Sequence, residues 1–227
     1  MKIQENIADI RRRIDEYARA AGREPGDITL IAVSKTRTPQ EINEAVAAGV
    51  TDIGENRVQE ILDKYEAVRP VNWHMIGHLQ RNKVKYIIDK VKLIHSVDSF
   101  RLAEEIDARA AQCGLTANIL VQINAAGEES KFGIAAHEAD ALVHAILDGC
   151  GHVRVCGFMG IAPIADEPEV RACFSRVKAV FDAFGRLSHE RLCVRYLSMG
   201  MSQDFGAAIL EGANMVRVGT AVFGAGN

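Results

Sequence analysis

Apolar positions follow two rhythms along this chain. Near the N-terminus Ile3, Ile7, Ile10 and Ile14 recur at helical spacing, which predicts an amphipathic helix with one face packed on the rest of the protein. Beyond it, short β-branched runs alternate with amphipathic stretches. The runs at 29–34, 52–54, 73–76, 93–97, 118–123, 153–159, 193–198 and 215–218 read as strands, and 39–48, 58–66, 103–112, 138–147 and 169–187 read as helices. Alternation at this density predicts βαβ units and a parallel sheet, and eight strands are what a (β/α)8 TIM barrel requires. A doubly wound sheet is the rival. It would normally place a glycine-rich loop after the first strand, whereas this chain has Ser34-Lys35-Thr36-Arg37-Thr38-Pro39 there. Thr38-Pro39-Gln40-Glu41 reads as a capping box with Pro in the first turn, so a helix starts four positions beyond Ser34 and Lys35 falls at the C-terminal end of a strand.

Composition agrees with one such unit. A single barrel uses about 200–250 residues and this chain has 227, so residues 1–227 are expected to form one barrel domain with an added N-terminal helix and no room for a second domain. A formal net charge of −3 supplies no global basic field for nucleic acid or an anionic membrane. No apolar run reaches the length of a membrane span, and Glu5 and Asp9 argue against a transit peptide. Five cysteines with no CxxC pair read as free thiols in a reducing cytoplasm, and a monomer is expected in preference to a dimer. Cys150-Gly-His152 with Cys156 matches no zinc spacing, and His74 and His78, four apart, are separated by strand context and Gly77, so no metal is expected.

In a barrel the chemistry sits at the C-terminal ends of the strands. Two features stand out there. Period two places Ile31, Val33 and Lys35 on one side of the first strand. If that side faces the interior, the ammonium lies in an apolar cup, where desolvation frees an amine able to attack a carbonyl. A solvated lysine at a strand terminus is the plainer alternative. The second feature is the last pair of loops, Ser198-Met199-Gly200-Met201-Ser202 and Val218-Gly219-Thr220. Small and hydroxyl residues after strands seven and eight are where this barrel usually holds phosphate, although ordinary Gly-rich turns would look similar. Arg217 sits two positions before Gly219 at the same end.

Other residues carry less. Lys131, in the polar loop 124–131, is a second lysine near the mouth or a solvated loop residue. Arg11, Arg12 and Arg13 read as a solvated helix face. Met75, Met159, Met199 and Met201 fit either the ligand site or the core.

A carbonyl-seeking lysine beside a phosphate cup suggests pyridoxal phosphate. Val33-Ser34-Lys35-Thr36, Gly54-Glu55-Asn56-Arg57-Val58-Gln59-Glu60, and Trp73-His74-Met75-Ile76-Gly77-His78-Leu79-Gln80-Arg81-Asn82-Lys83 resemble one family. So do His95-Ser96-Val97-Asp98-Ser99, Gly157-Phe158-Met159-Gly160, Ser198 through Asp204 and Val216 through Gly224. The family is that of the pyridoxal phosphate homeostasis proteins (YggS/PROSC), which resemble the barrel domain of alanine racemase. The resemblance runs over nearly the whole chain. It implies that Lys35 holds the cofactor as an internal aldimine, that Ser202, Gly219 and Thr220 contact the phosphate, that Arg217 faces the pyridine nitrogen, and that Asn56 lies near the ring.

Three functions follow from such a site. The protein could buffer or deliver pyridoxal phosphate inside the cell, with apo enzymes as recipients and no catalytic residue of its own. It could be a type III racemase or decarboxylase, or a phosphosugar enzyme using Lys35 as its nucleophile. An Arg opposite the ring nitrogen weakens the ring as an electron sink. The missing second domain and the absence of a tyrosine at a strand end also favour the carrier.

Overall fold

The computed structural model describes residues 2–127 and 132–224. Its strands are β1 (Thr29–Val33), β2 (Asp52–Glu55), β3 (Asn72–Met75), β4 (Val91–Val97), β5 (Ala117–Ile123), β6 (Val153–Gly160), β7 (Leu192–Ser198) and β8 (Met215–Val218). They pair in chain order, all parallel, and β8 pairs back onto β1 to close the barrel. The helices are α1 (Lys2–Ala20), α2 (Pro39–Ala47), α3 (Val58–Lys64), α4 (Phe100–Gln112), α5 (Ala139–Gly149), α6 (Glu167–Phe184), α7 (Phe205–Leu210) and α8 (Thr220–Phe223). This is the (β/α)8 barrel that the hydrophobic rhythm predicts. Between β3 and β4 the crossover is a short 3-10 helix, Arg81–Tyr86.

A closed parallel barrel buries both faces of every strand, so its strands read as near-continuous apolar runs. The outer faces pack under the helices. The inner faces contribute a smaller apolar plug of Ile31, Leu93, Leu120, Cys156, Met159 and Met215. Met75, Met159 and Met199 are fully buried, so core packing accounts for them, while Met201 is exposed. All five cysteines are free, and burial pushes the thiols of Cys150 and Cys156 up to about 11.

The helix starts follow local chemistry. Thr38 Oγ1 accepts from the amide of Glu41, and the Glu41 carboxylate accepts from the amide of Thr38, so the capping box of α2 is complete. Asp166 caps α6 through the amide of Glu169. On α1, Ile3, Ile7, Ile10, Ile14 and Ala18 are buried against α2, α7 and α8.

Of the run Arg11-Arg12-Arg13 on α1, the first two lie on the expected solvated face and Arg13 departs from it. Arg12 pairs there with Asp9 and Glu16. Arg11 donates to the carbonyls of Ala48 and Gly49 at the C-terminal end of α2, and Arg13 lies over the Phe205 ring at 4.8 Å. A helix docked on its neighbours offers its flanking cations the carbonyls and rings of those neighbours, which the sequence of α1 alone does not reveal. Among the described residues, no helix is long and apolar enough to cross a membrane.

Candidate functional site

The C-terminal mouth of the barrel opens into a cavity of about 640 Å³, and Lys35, Asn56, Ser202, Arg217, Gly219 and Thr220 all line it. Four separate strand ends therefore deliver the six residues singled out in the sequence to one place. Lys131 lies outside the described residues, as does the second half of the 124–131 loop.

Lys35 reaches the cavity by a different route from the one expected. β1 ends at Val33, the Ser34 amide makes the last sheet bond to Gly54 O at 3.0 Å, and the chain then turns out of the barrel. Lys35 is consequently exposed in the cavity mouth and does not sit in an apolar cup. Val33 is the strand residue that lines the wall beside it.

A buried polar clamp fixes this turn. Thr36, next to Lys35, has φ of +63°, the left-handed region that a β-branched residue rarely adopts and that stores about 1–3 kcal/mol. Its amide donates to Glu60 Oε2 at 2.6 Å. Lys64 Nζ donates to that same oxygen at 2.8 Å, to Glu55 Oε1 at 2.8 Å and to Ser34 O at 2.9 Å. The Ser34 hydroxyl also donates to Glu55 Oε1, at 2.7 Å. Burial pushes the Glu55 carboxyl upward against these bonds, and its Oε2 is buried without a partner among the described residues. Glu60 is only partly buried. The Lys64 ammonium and the Thr36 amide overcome its desolvation and hold its carboxyl below the usual range.

The last two loops are tied to each other. The Gly219 amide donates to Ser202 Oγ at 3.3 Å, and Thr220 begins the single-turn α8 beside it. A side chain at Gly219 would press within 3.3 Å of Val33 O, so glycine lets the backbone amide come close to the cavity. Across the mouth, a Cβ at Gly77 would stand 2.3 Å from Asn56 O, so glycine there allows the β2 and β3 ends to meet and seats Asn56 on the wall.

Arg217 forms the floor. It is 4 % exposed, and it donates to Ser198 Oγ at 2.6 Å and to Gly160 O at 2.9 Å. Burial pushes its guanidinium down to about 10, and among the described residues no carboxylate pairs with it.

Several lining residues escaped the sequence reading. Arg13 and Tyr17 enter from α1, and Gln122 comes from β5. No tyrosine was expected at a strand end facing the site, and Tyr17 lines the cavity from a helix instead. Its ring packs on Gly206 and stands edge-on to Phe205 at 6.0 Å. His78, considered for a metal, stacks on Phe132 at 4.2 Å on the cavity wall.

The donor set suits a phosphorylated aromatic aldehyde. An accessible amine, the hydroxyls of Ser202 and Thr220, the Gly219 amide and a buried cation with no carboxylate partner among the described residues share one cavity. Of the two carboxylates on the lining, Asp204 is held by the Met201 amide at 2.5 Å, and Glu167 starts α6.

Comparison with known proteins gives a consistent picture. The family model of the alanine racemase N-terminal domain matches residues 4–227. A protein of Aquifex aeolicus named pyridoxal phosphate homeostasis protein is 40% identical, with 99% of this chain and 98% of that protein covered. One of the same name from Pseudomonas aeruginosa is 41% identical, with 98% and 95% covered. Among solved structures, PipY of Synechococcus elongatus with PLP bound superposes with a TM-score of 0.83 at 32% identity, covering 98% of this chain and all of PipY. Alanine racemase of Corynebacterium glutamicum shares the fold, with a TM-score of 0.72 at 17% identity, and this chain spans 62% of it.

Proposed function

We propose a function from one premise: the chain belongs to the pyridoxal phosphate homeostasis family, whose barrel is the alanine racemase N-terminal domain. It is a pyridoxal phosphate-binding protein of cellular cofactor supply. The observation that carries this reading is the meeting of Lys35, Arg217 and the Ser202–Gly219–Thr220 cradle in one open cavity. Bound there, pyridoxal phosphate supplies an aldehyde that captures an amine and a conjugated ring that absorbs visible light. Lys35 offers the amine. Ser202, Thr220 and the Gly219 amide bind the phosphate, as donors to a charged acceptor. Arg217 presents N–H to the ring nitrogen and so keeps a proton off it, while Asn56 borders the ring.

The Thr220 role has a direct test. Thr220→Val removes one donor to a charged acceptor, worth about 1.5–3 kcal/mol, so retention of pyridoxal phosphate falls about tenfold or more. Binding of pyridoxal, which lacks the phosphate, barely changes. Equal losses for both ligands place Thr220 away from the phosphate.

We further propose that the protein carries the cofactor and does not turn over amino acids. This chain matches relatives of its own length end to end, whereas it spans 62% of the racemase that shares its fold. Its cavity is open to water, which weakens electrostatic catalysis and favours ligand exchange. The assay incubates the loaded protein with each L-amino acid in deuterated water and follows Cα exchange and chirality. Trace exchange is expected. Turnover near 1 s⁻¹ or faster, within the ordinary enzyme range, replaces the carrier by an enzyme, with Tyr17 then the first residue to change. In the companion assay an apo enzyme mixed with the loaded protein gains activity.

A further inference from the structure

The barrel interior holds a chain of polar groups that the site described above does not use. Asp52 on β2, His74 on β3, His95 on β4 and Ser198 on β7 are all buried, and none of them lines the cavity. His74 Nε2 lies 2.8 Å from Asp52 Oδ1, and His74 Nδ1 lies 2.9 Å from His95 Nε2. His95 Nδ1 lies 2.9 Å from Ser198 Oγ, which accepts from Arg217 at 2.6 Å. Side chains from five strands thus form one unbroken line ending on the cavity floor.

We propose that Asp52, His74, His95 and Ser198 are positioning residues that hold Arg217, through a hydrogen-bond relay of fixed direction, against the ring nitrogen of the cofactor. The proposal rests on the reading of Arg217 given above. Its direction follows from hydrogen-bond chemistry. Burial pushes both imidazoles below their usual value, and the Arg217 guanidinium pushes His95 further down, so each ring carries one N–H. The Asp52 carboxyl is driven up by burial, but hydrogen bonds from His74 and Thr51 and the Lys92 charge hold it below the usual range, so it is an acceptor only. His74 must therefore donate from Nε2 and accept at Nδ1. His95 must then donate from Nε2 and accept at Nδ1, so Ser198 donates its proton to His95.

The consequence at Arg217 is specific. The Ser198 hydroxyl can show the guanidinium only a lone pair. Every dipole in the line has its positive end toward Asp52 and its negative end toward Arg217, which lets a distant carboxylate steady a cation that has no ion-pair partner of its own among the described residues. Structure alone would not require this arrangement. Apolar residues of similar volume commonly replace buried ionic networks with no loss of stability, and Ile31, Leu93, Leu120, Met159 and Met215 form an apolar plug in the same interior.

Two measurements test the relay. In the cofactor-free protein, nitrogen–proton NMR of the imidazoles is expected to show His74 and His95 both protonated at Nε2 and neutral. A proton on Nδ1 of either ring, or an imidazolium, overturns the direction and with it the proposal. The second measurement compares binding of pyridoxal phosphate with its 1-deaza analogue, in which C–H replaces the ring nitrogen. The wild-type protein is expected to prefer the natural cofactor by about tenfold or more. His74→Leu breaks the line and should reduce that preference to less than about twofold. His74→Gln can donate its amide to Asp52 and offer its carbonyl to His95, so it should restore most of the preference. A His74→Leu protein that loses affinity equally for both ligands has only a looser barrel, and that result overturns the proposal. So does a wild-type protein that binds both ligands equally. If the wild type binds neither, the cofactor reading itself fails, and the NMR result still judges the relay. It also decides the relay's direction should His74→Leu not fold.

Discussion

Replacing Lys35 with Ala abolishes the visible absorption band that pyridoxal phosphate gives on this protein and leaves the melting temperature where it was. Both halves follow from its position. The amine is the accessible primary amine that β1 delivers to the cavity, in the turn that follows the strand. Without it the ligand keeps its phosphate and ring contacts but has no covalent anchor here, and borohydride no longer fixes a mass adduct on residue 35. The side chain is exposed and contributes nothing to the clamp that holds the turn, so its loss falls within the about ±0.5 kcal/mol typical of surface substitutions. Circular dichroism and thermal melting report the fold, and absorbance with mass spectrometry after borohydride reports the anchor. If the band persists and Lys131→Ala removes it, the wrong lysine has been assigned.

The route to Lys35 shows how far the sequence could be read. The strands were legible to within one or two residues, because parallel strands buried on both faces cannot avoid continuous apolar runs, as in Ala117–Ile123. The capping box at Thr38 and Glu41 was legible because its chemistry is local. Period two correctly placed Ile31 and Val33 on one side of β1, but Lys35 leaves that alternation because the chain exits at Ser34, whose amide bonds Gly54 O twenty residues away, and only the fold reveals it. The 3-10 crossover after β3 has too short a pattern to register as a helix. The polar line from Asp52 to Ser198 left a signal that was read at the wrong scale. His95 and Ser198 sit within buried strands, where a polar side chain calls for a buried partner, so they belong to an internal network and not to the cavity wall. Arg13 and Tyr17 were beyond reach, since nothing in α1 tells which part of the barrel its flank touches.

Lys64→Ala should destabilise the protein far more than an ion-pair count suggests. Lys64 has only 9% of its side chain exposed, Glu55 has none, and the ammonium satisfies Ser34 O, Glu55 and Glu60 together. Removing one partner of a buried pair typically costs about 3–5 kcal/mol, because the remaining charge has neither water nor a counter-ion. For a chain of this size each kcal/mol moves the midpoint by about 2–4 °C, so thermal melting should fall by roughly 6–20 °C. Arg12 provides the contrast: it too bridges two carboxylates, at 2.6 Å each, but its side chain is 59% exposed, and Arg12→Ala is expected to melt close to the wild type. Adding Glu55→Gln to Lys64→Ala removes the stranded carboxylate and should recover part of the loss. The same clamp restrains Thr36 in its left-handed conformation, so releasing it frees the turn that carries Lys35. Cofactor retention in Lys64→Ala should therefore drop even at temperatures where the variant is fully folded. A variant that melts within about 2 °C of the wild type shows the pair to be balanced by its own desolvation. One that melts low but binds the cofactor normally shows that the Lys35 turn holds its shape without the clamp.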